Sequence, residues 1–275
     1  MHLPSLALLS RVAWTTLDIS VPTVVDGYRS SVDPRRCDAR LDRWSKRILE
    51  LSGVELEVSG REHLEPGRSY VLMSNHQSYY DIPVLFQALR IPIRMVAKAE
   101  LFNTPIWGRA MHAAGFIAVD RKKGREALTR LMQARERLER DKTCLWIAPE
   151  GTRSYDGKLL PFKRGGFQLA LVTGLPIVPI SINGTVRVHA RSSDVIHRGE
   201  RVQVTIAEPI DPASYGRKRM DELIARVGEI IAAPLGVPPP PKDAPEKDPA
   251  AGNGKAAENG HAAGIAASQG ASAIN

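Results

Sequence analysis

Tyr70-Val71-Leu72-Met73-Ser74-Asn75-His76-Gln77-Ser78-Tyr79-Tyr80-Asp81-Ile82 opens on an apolar run too short for a helix, crosses a polar loop and enters a helical stretch at 82–89. A strand feeding a helix in this way is the repeating unit of an α/β sheet. The alternation continues in both directions. Residues 54–58, 93–97, 116–119, 143–148, 177–182 and 202–206 read as further strands, and 104–114, 124–140, 166–173 and 217–231 as helices. The pattern predicts an α/β domain, with a mixed, largely parallel sheet covered by helices.

The bulk properties agree with a globular chain. Of 275 residues, 43% are apolar and 25% charged, which excludes wholesale disorder, a collagen-like fibre and a disulfide scaffold. Cys37 and Cys144 lie far apart in different contexts, which argues for a reducing compartment and against a tetrahedral zinc cluster. No metal site is expected. The net charge of +8 favours an anionic partner. Aromatics are only 5% and are not interleaved with basic residues in any nucleic-acid-binding signature, so a lipid surface or a phosphorylated substrate is favoured over nucleic acid.

Residues 1–52 are expected to form an N-terminal helical, membrane-associating segment. Arg11, Asp18 and Asp26 interrupt each apolar run before it reaches the ~18 residues of a spanning helix, and the pattern fits a secretory signal poorly. Leu3, Leu6, Leu8 and Leu9 are expected to bury shallowly in a bilayer. Over 35–51, Leu41, Trp44, Ile48 and Leu51 recur at helical spacing among Arg35, Arg36, Arg40, Arg43, Lys46 and Arg47, a basic amphipathic helix. Such a helix can pack on its own domain or lie against anionic headgroups. The charge-free stretch 165–186 is long enough to span, but Gly174, Pro176 and Pro179 divide it into a helix, a turn and a buried strand. From Pro234 the composition turns to Pro, Ala, Gly and Asn, so 234–275 is expected to be a disordered tail and 53–233 the folded domain.

Two clusters carry chemistry. His76 and Asp81 follow a strand end, where ligands of α/β sheets usually bind; imidazole is a base suited to neutral pH, and a carboxylate on its other nitrogen fixes the tautomer. The plainer alternative is a loop histidine beside a helix N-cap. Pro149-Glu150-Gly151-Thr152-Arg153-Ser154 follows the strand at 143–148. Here Arg153 can hold a phosphate through its planar fork, with the glycine allowing close backbone approach; the alternative is a polar loop with a local Glu150–Arg153 ion pair.

Taken together, these clusters resemble the lysophosphatidic acid acyltransferase family, glycerolipid acyltransferases marked by a histidine and an aspartate four residues apart. Asn75-His76-Gln77-Ser78 through Asp81 fits the first motif. Gly115-Phe116-Ile117-Ala118-Val119-Asp120-Arg121 resembles the second, 149–154 the third, and Ile177-Val178-Pro179-Ile180 the fourth. Lys98 with Glu100-Leu101, and Phe162-Lys163-Arg164-Gly165-Gly166-Phe167, also match. The likeness runs from about Arg43 to Pro209. Ala148 stands where the family often has phenylalanine, and the N-terminus is less apolar than in many members.

The resemblance implies transfer of a fatty acyl group from acyl-CoA or acyl carrier protein to the 2-hydroxyl of 1-acyl-glycerol 3-phosphate, with no further cofactor. It makes His76 the base and Asp81 its orienting group. Lys98, Arg121, Glu150, Gly151, Thr152, Arg153 and Pro179 become the substrate-binding residues, and phosphatidic acid synthesis at the cytoplasmic face of the cell membrane the setting. Rival readings are another lyso-lipid acceptor, such as a lyso-ornithine lipid, and a non-catalytic basic protein that binds lipid or nucleic acid.

Overall fold

The computed structural model describes residues 3–29, 32–119, 135, 136 and 138–242. Seven short apolar runs become strands: β1 (Glu55–Ser59), β2 (Val71–Ser74), β3 (Ile93–Lys98), β4 (Ile117–Val119), β5 (Cys144–Ile147), β6 (Ile177–Asn183) and β7 (Arg201–Ile206). They form one sheet in the order β1-β7-β6-β2-β5-β3-β4, parallel throughout except at β6–β7. The expected α/β class and mixed, largely parallel sheet are present. β2, whose burial is complete at all four positions, lies at the centre between β6 and β5. Strands buried on both faces read as continuous apolar runs, which is why they were visible in the sequence.

The helices are α1 (Leu3–Arg29), α2 (Pro34–Ser52), α3 (Asp81–Leu89), α4 (Trp107–Ala113), α5 (Arg164–Thr173), α6 (Thr185–Val188) and α7 (Met220–Leu235). α2 starts where Asp33 accepts the Arg35 N–H at 2.9 Å, carries Pro34 in its first turn, and stops at Gly53 in the left-handed region. α4 starts later than expected because Ile106 adopts a φ of 62°, outside the helical region. The helix expected at 124–140 falls mostly outside the described residues, of which 135, 136 and 138–140 are helical.

Residues 1–52 were expected as a separate, membrane-facing segment, yet their described part joins the main core. Leu8, Cys37, Leu41, Ile48, Leu49 and Leu51 share one buried cluster with Leu72, Val84, Leu85 and Phe86. Each such side chain contributes about 1.5–3 kcal/mol by leaving water. Leu8 is therefore committed to the protein rather than to lipid, which corrects the reading of that residue. Arg40 is also withdrawn from the basic face, since it pairs with Asp26 at 2.7 Å and donates to Thr23 at 3.2 Å.

α1 is one continuous helix of 27 residues, and no helix among the described residues is long and apolar enough to cross a membrane. Its exposed apolar residues, Trp14, Val21, Val25 and Tyr28, are spaced by seven, four and three, so they share a face. Asp18 is exposed on that same face.

Across the sheet, α5 and α7 close a second core with Val71, Met73, Phe167, Ile177, Val227 and Ile231. α7 runs past the expected end at Ala233 to Leu235 and is capped by Gly236. Val237 packs on the same cluster, and the Pro240 ring lies so close to Gly228 that a Cβ there would meet it at 2.6 Å. The folded part thus extends past residue 233; residues 243–275 lie outside the described residues.

Candidate active site

β2 and β5 are parallel neighbours with Met73 opposite Ile147. His76 stands three residues beyond Met73, and Glu150 three beyond Ile147, so the register alone brings the two loops side by side at the carboxyl edge of the sheet. This is the edge at which open α/β sheets bind ligands. Two hydrogen bonds join the loops, Glu150 Oε1 accepting the His76 N–H at 2.8 Å and the Ser154 N–H reaching the His76 carbonyl at 2.8 Å, while Glu150 Oε2 accepts the Leu160 N–H at 3.0 Å within its own segment.

Asp81 opens α3, where the helix dipole favours a carboxylate. It is fully buried, and its Oδ2 accepts His76 Nδ1 at 2.7 Å together with the backbone N–H groups of Gln77 at 2.7 Å and Ser78 at 2.9 Å. Oδ1 accepts the Thr185 hydroxyl at 2.5 Å. A carboxylate acceptor at Nδ1 puts the imidazole proton there and leaves Nε2 as the basic nitrogen. The ring is held edge-on by Trp146, at 5.5 Å and 89°, and the Trp146 indole N–H is itself fixed on Ser74 Oγ at 2.9 Å. The His76 side chain keeps 17% exposure, enough to meet a substrate.

On the other side of the loop, the Arg153 guanidinium lies over the Tyr79 ring, 3.7 Å from its centroid. Burial disfavours its charge, and among the described residues its buried Nη1 has no hydrogen-bond acceptor. A cation held in this way is suited to an anionic oxygen supplied by a ligand. Arg191, which the motifs did not single out, donates to Thr152 Oγ1 at 3.0 Å and to the Arg153 carbonyl, and stacks over Tyr155 at 3.8 Å. Gly151 takes a φ of 71°, and a Cβ there would press on the Lys163 side chain at 3.0 Å.

The fold therefore gathers His76, Asp81, Glu150, Gly151, Thr152 and Arg153. Glu150 does not pair with Arg153; both of its oxygens are engaged by backbone N–H groups. Lys98 ends β3, two strands from β2 and so about 10 Å across the sheet, where it pairs with Glu100 at 3.5 Å. Pro179 is not brought to the site. It is buried within β6 opposite Met73, and its carbonyl accepts the Ala207 N–H at 3.0 Å, so it shapes the sheet from inside. Arg121 lies outside the described residues. Among the described residues no three His, Cys, Asp or Glu side chains form a group that could hold a metal ion.

Residues 55–183, which contain this whole constellation except Thr185 and Arg191, match the acyltransferase family model. They are an acyltransferase-family domain. Beyond the domain itself, the chain is similar to 1-acyl-sn-glycerol-3-phosphate acyltransferase alpha of Mus musculus, at 34% identity over 58% of this chain and 56% of that one. It is also 34% identical to the 1-acyl-sn-glycerol-3-phosphate acyltransferase of Saccharomyces cerevisiae over 66% of this chain and 60% of the relative. The chain thus spans less than two thirds of these relatives' length. The chain shares the fold of the 1-acyl-sn-glycerophosphate acyltransferase PlsC from Thermotoga maritima, with a TM-score of 0.67 at 24% identity over 84% of this chain and 94% of that one.

Proposed function

We propose that this protein transfers a fatty acyl group from the thioester of acyl-CoA or acyl carrier protein to the 2-hydroxyl of 1-acyl-glycerol 3-phosphate, giving phosphatidic acid and a free thiol. The observation that carries the reading is the His76–Asp81 pair, 2.7 Å long, with its carboxylate fully buried and its imidazole accessible at the sheet edge. The similarity to acyltransferases of that name supports the acceptor.

In this reading the acceptor hydroxyl meets His76 Nε2, which takes its proton as the oxygen attacks the thioester carbonyl. Asp81 stabilises the imidazolium that forms, and the tetrahedral intermediate collapses as the proton passes to the departing thiolate. The substrate supplies the nucleophile, so no acyl-enzyme is required. The division of labour between base and orienting carboxylate is that of a serine-protease triad. Arg153, aided by Lys98 and Arg121, receives the acceptor phosphate. Glu150 acts on the loop rather than on the substrate.

Attachment to the cytoplasmic face of a membrane is peripheral in this account. The Trp14, Val21, Val25 and Tyr28 face of α1 enters the headgroup region, Asp18 keeps it shallow, and the exposed Arg35, Arg36, Arg43, Lys46 and Arg47 of α2 meet anionic lipid. The test is an acyl-transfer assay of the purified protein with both thioester donors and a panel of lyso-lipids that includes a lyso-ornithine lipid. Transfer to 1-acyl-glycerol 3-phosphate is expected. Preference for another lyso-lipid would move the acceptor, and binding without turnover would remove the enzymatic reading.

A further inference from the structure

Asp81 has an unusual division of hydrogen bonds. Three donors, His76 Nδ1 and the N–H groups of Gln77 and Ser78, all converge on Oδ2 and all come from its own loop. Among the described residues Oδ1 has one donor, the Thr185 hydroxyl, which comes from more than a hundred residues away. A carboxylate torsion is broad and roughly two-fold, and the three donors on Oδ2 all ride on the same loop as the carboxylate, so the Thr185 hydroxyl on Oδ1 is the restraint on that torsion that comes from another part of the fold. Holding the second oxygen adds a restraint that keeps Oδ2 aimed at Nδ1. Buried carboxylates are paired and hydrogen-bonded, and His76 is the one ion-pair partner of Asp81 among the described residues.

The chain is built to deliver this hydroxyl. The Asn75 side-chain amide clamps Ile182, donating to its carbonyl and accepting its N–H, each at 2.8 Å. Gly184 then turns at φ 105°, where a Cβ would meet the Arg201 carbonyl at 2.4 Å. Thr185 is fully buried and begins the one-turn helix α6, whose far end is tied back to the same loop by Ser78 Oγ donating to the His189 carbonyl at 2.7 Å. Both ends of α6 are thus fastened to the His76–Asp81 loop.

We propose that Thr185 is a positioning residue for the His76–Asp81 pair. It holds the free oxygen of the carboxylate so that the other stays aligned with the imidazole. The inference rests on the reading of His76 as the base; Thr185 itself touches neither substrate in this account.

The test compares Thr185→Val and Thr185→Ser in the acyl-transfer assay and by proton NMR of the substrate-free protein, reading the low-field imidazole N–H signal identified by its loss in Asp81→Asn. Thr185→Val is expected to lower kcat about 10-fold with KM for both substrates within about twofold, and to shift or broaden the signal. Thr185→Ser, which keeps the hydroxyl, is expected to restore both. Unchanged kcat and signal in a folded Thr185→Val protein would overturn the proposal, as would Thr185→Ser being as impaired as Thr185→Val. Should Thr185→Val not fold, Thr185→Ala against Thr185→Ser gives the same contrast. The NMR signal needs no turnover: a wild-type protein inert toward every lyso-lipid would refute the proposed function, while the signal would still decide whether Thr185 holds the pair.

Discussion

Glu150 accepts the backbone N–H of His76 at 2.8 Å, so a residue of the third motif fixes the main chain of the first. Burial pushes its carboxyl up to about 7, outweighing the two N–H bonds that favour the charge. The folded state therefore holds a proton that the unfolded chain, at about 4.5, has released. Stability contributed by this proton is present below about pH 4.5 and is lost as pH rises to about 7. In urea unfolding across that window, the wild type should lose up to about 3 kcal/mol relative to Glu150→Gln, which does not titrate. The variant should begin less stable by about 1–3 kcal/mol, because an amide nitrogen cannot accept the second N–H. Parallel pH profiles for the two proteins would place the proton elsewhere.

Arg153 over Tyr79 makes a separable prediction about the acceptor. Arg153→Lys replaces a fork by a point charge and loses the stacking geometry, so KM for 1-acyl-glycerol 3-phosphate should rise more than KM for the thioester. Tyr79→Leu should follow it several-fold in the same direction, with Tyr79→Phe near wild type. Equal rises for both substrates would mean that Arg153 only braces the loop.

Membrane attachment is testable without disturbing the core. Removal of residues 1–50 would strip Leu41, Ile48 and Leu49 from the main cluster, so point changes on the exposed face are the sounder test. Trp14→Asp and Val21→Asp should weaken co-sedimentation with anionic vesicles while thermal stability holds. Binding should also fall as salt rises, since each basic residue near such a surface contributes about 1 kcal/mol and is screened. Wild-type protein that never sediments with vesicles would contradict the account.

At the other terminus, the packing of Val237 and Pro240 separates two truncations. Ending the chain after Lys242 should leave activity and Tm unchanged, in keeping with the composition beyond it. Ending it after Ala233 should lower Tm by several degrees, because the last turn of α7 and its cap are lost. Equal stability of the two products would show that the 234–242 segment contributes nothing.

The central strands β2, β5 and β6 were legible as short, buried apolar runs bounded by breakers, whereas β1 and β7 showed only apolar residues interleaved with polar ones. The spatial order of the strands was not legible, since nothing local to β7 states that it runs antiparallel beside β6. Arg11, Asp18 and Asp26 keep the apolar runs of α1 too short to span a membrane, and that was legible; that Arg40 of α2 neutralises Asp26 was not, because the two are 14 positions apart. His76, Asp81 and Arg153 were found by motif. Thr185 was invisible because Asn183-Gly184-Thr185 looks like any turn, and its partner lies 104 positions away. Pro179 was credited to the site by the same motif logic, although its position in the sheet makes it a packing residue.

The central claim is that His76, oriented by Asp81, is the base for acyl transfer. Steady-state kinetics of His76→Ala, with circular dichroism as a control for folding, tests it most directly. The account predicts a kcat lowered by roughly 10²-fold or more in a protein that keeps its fold, with Asp81→Ala similarly impaired. Near-wild-type turnover in folded His76→Ala would contradict it.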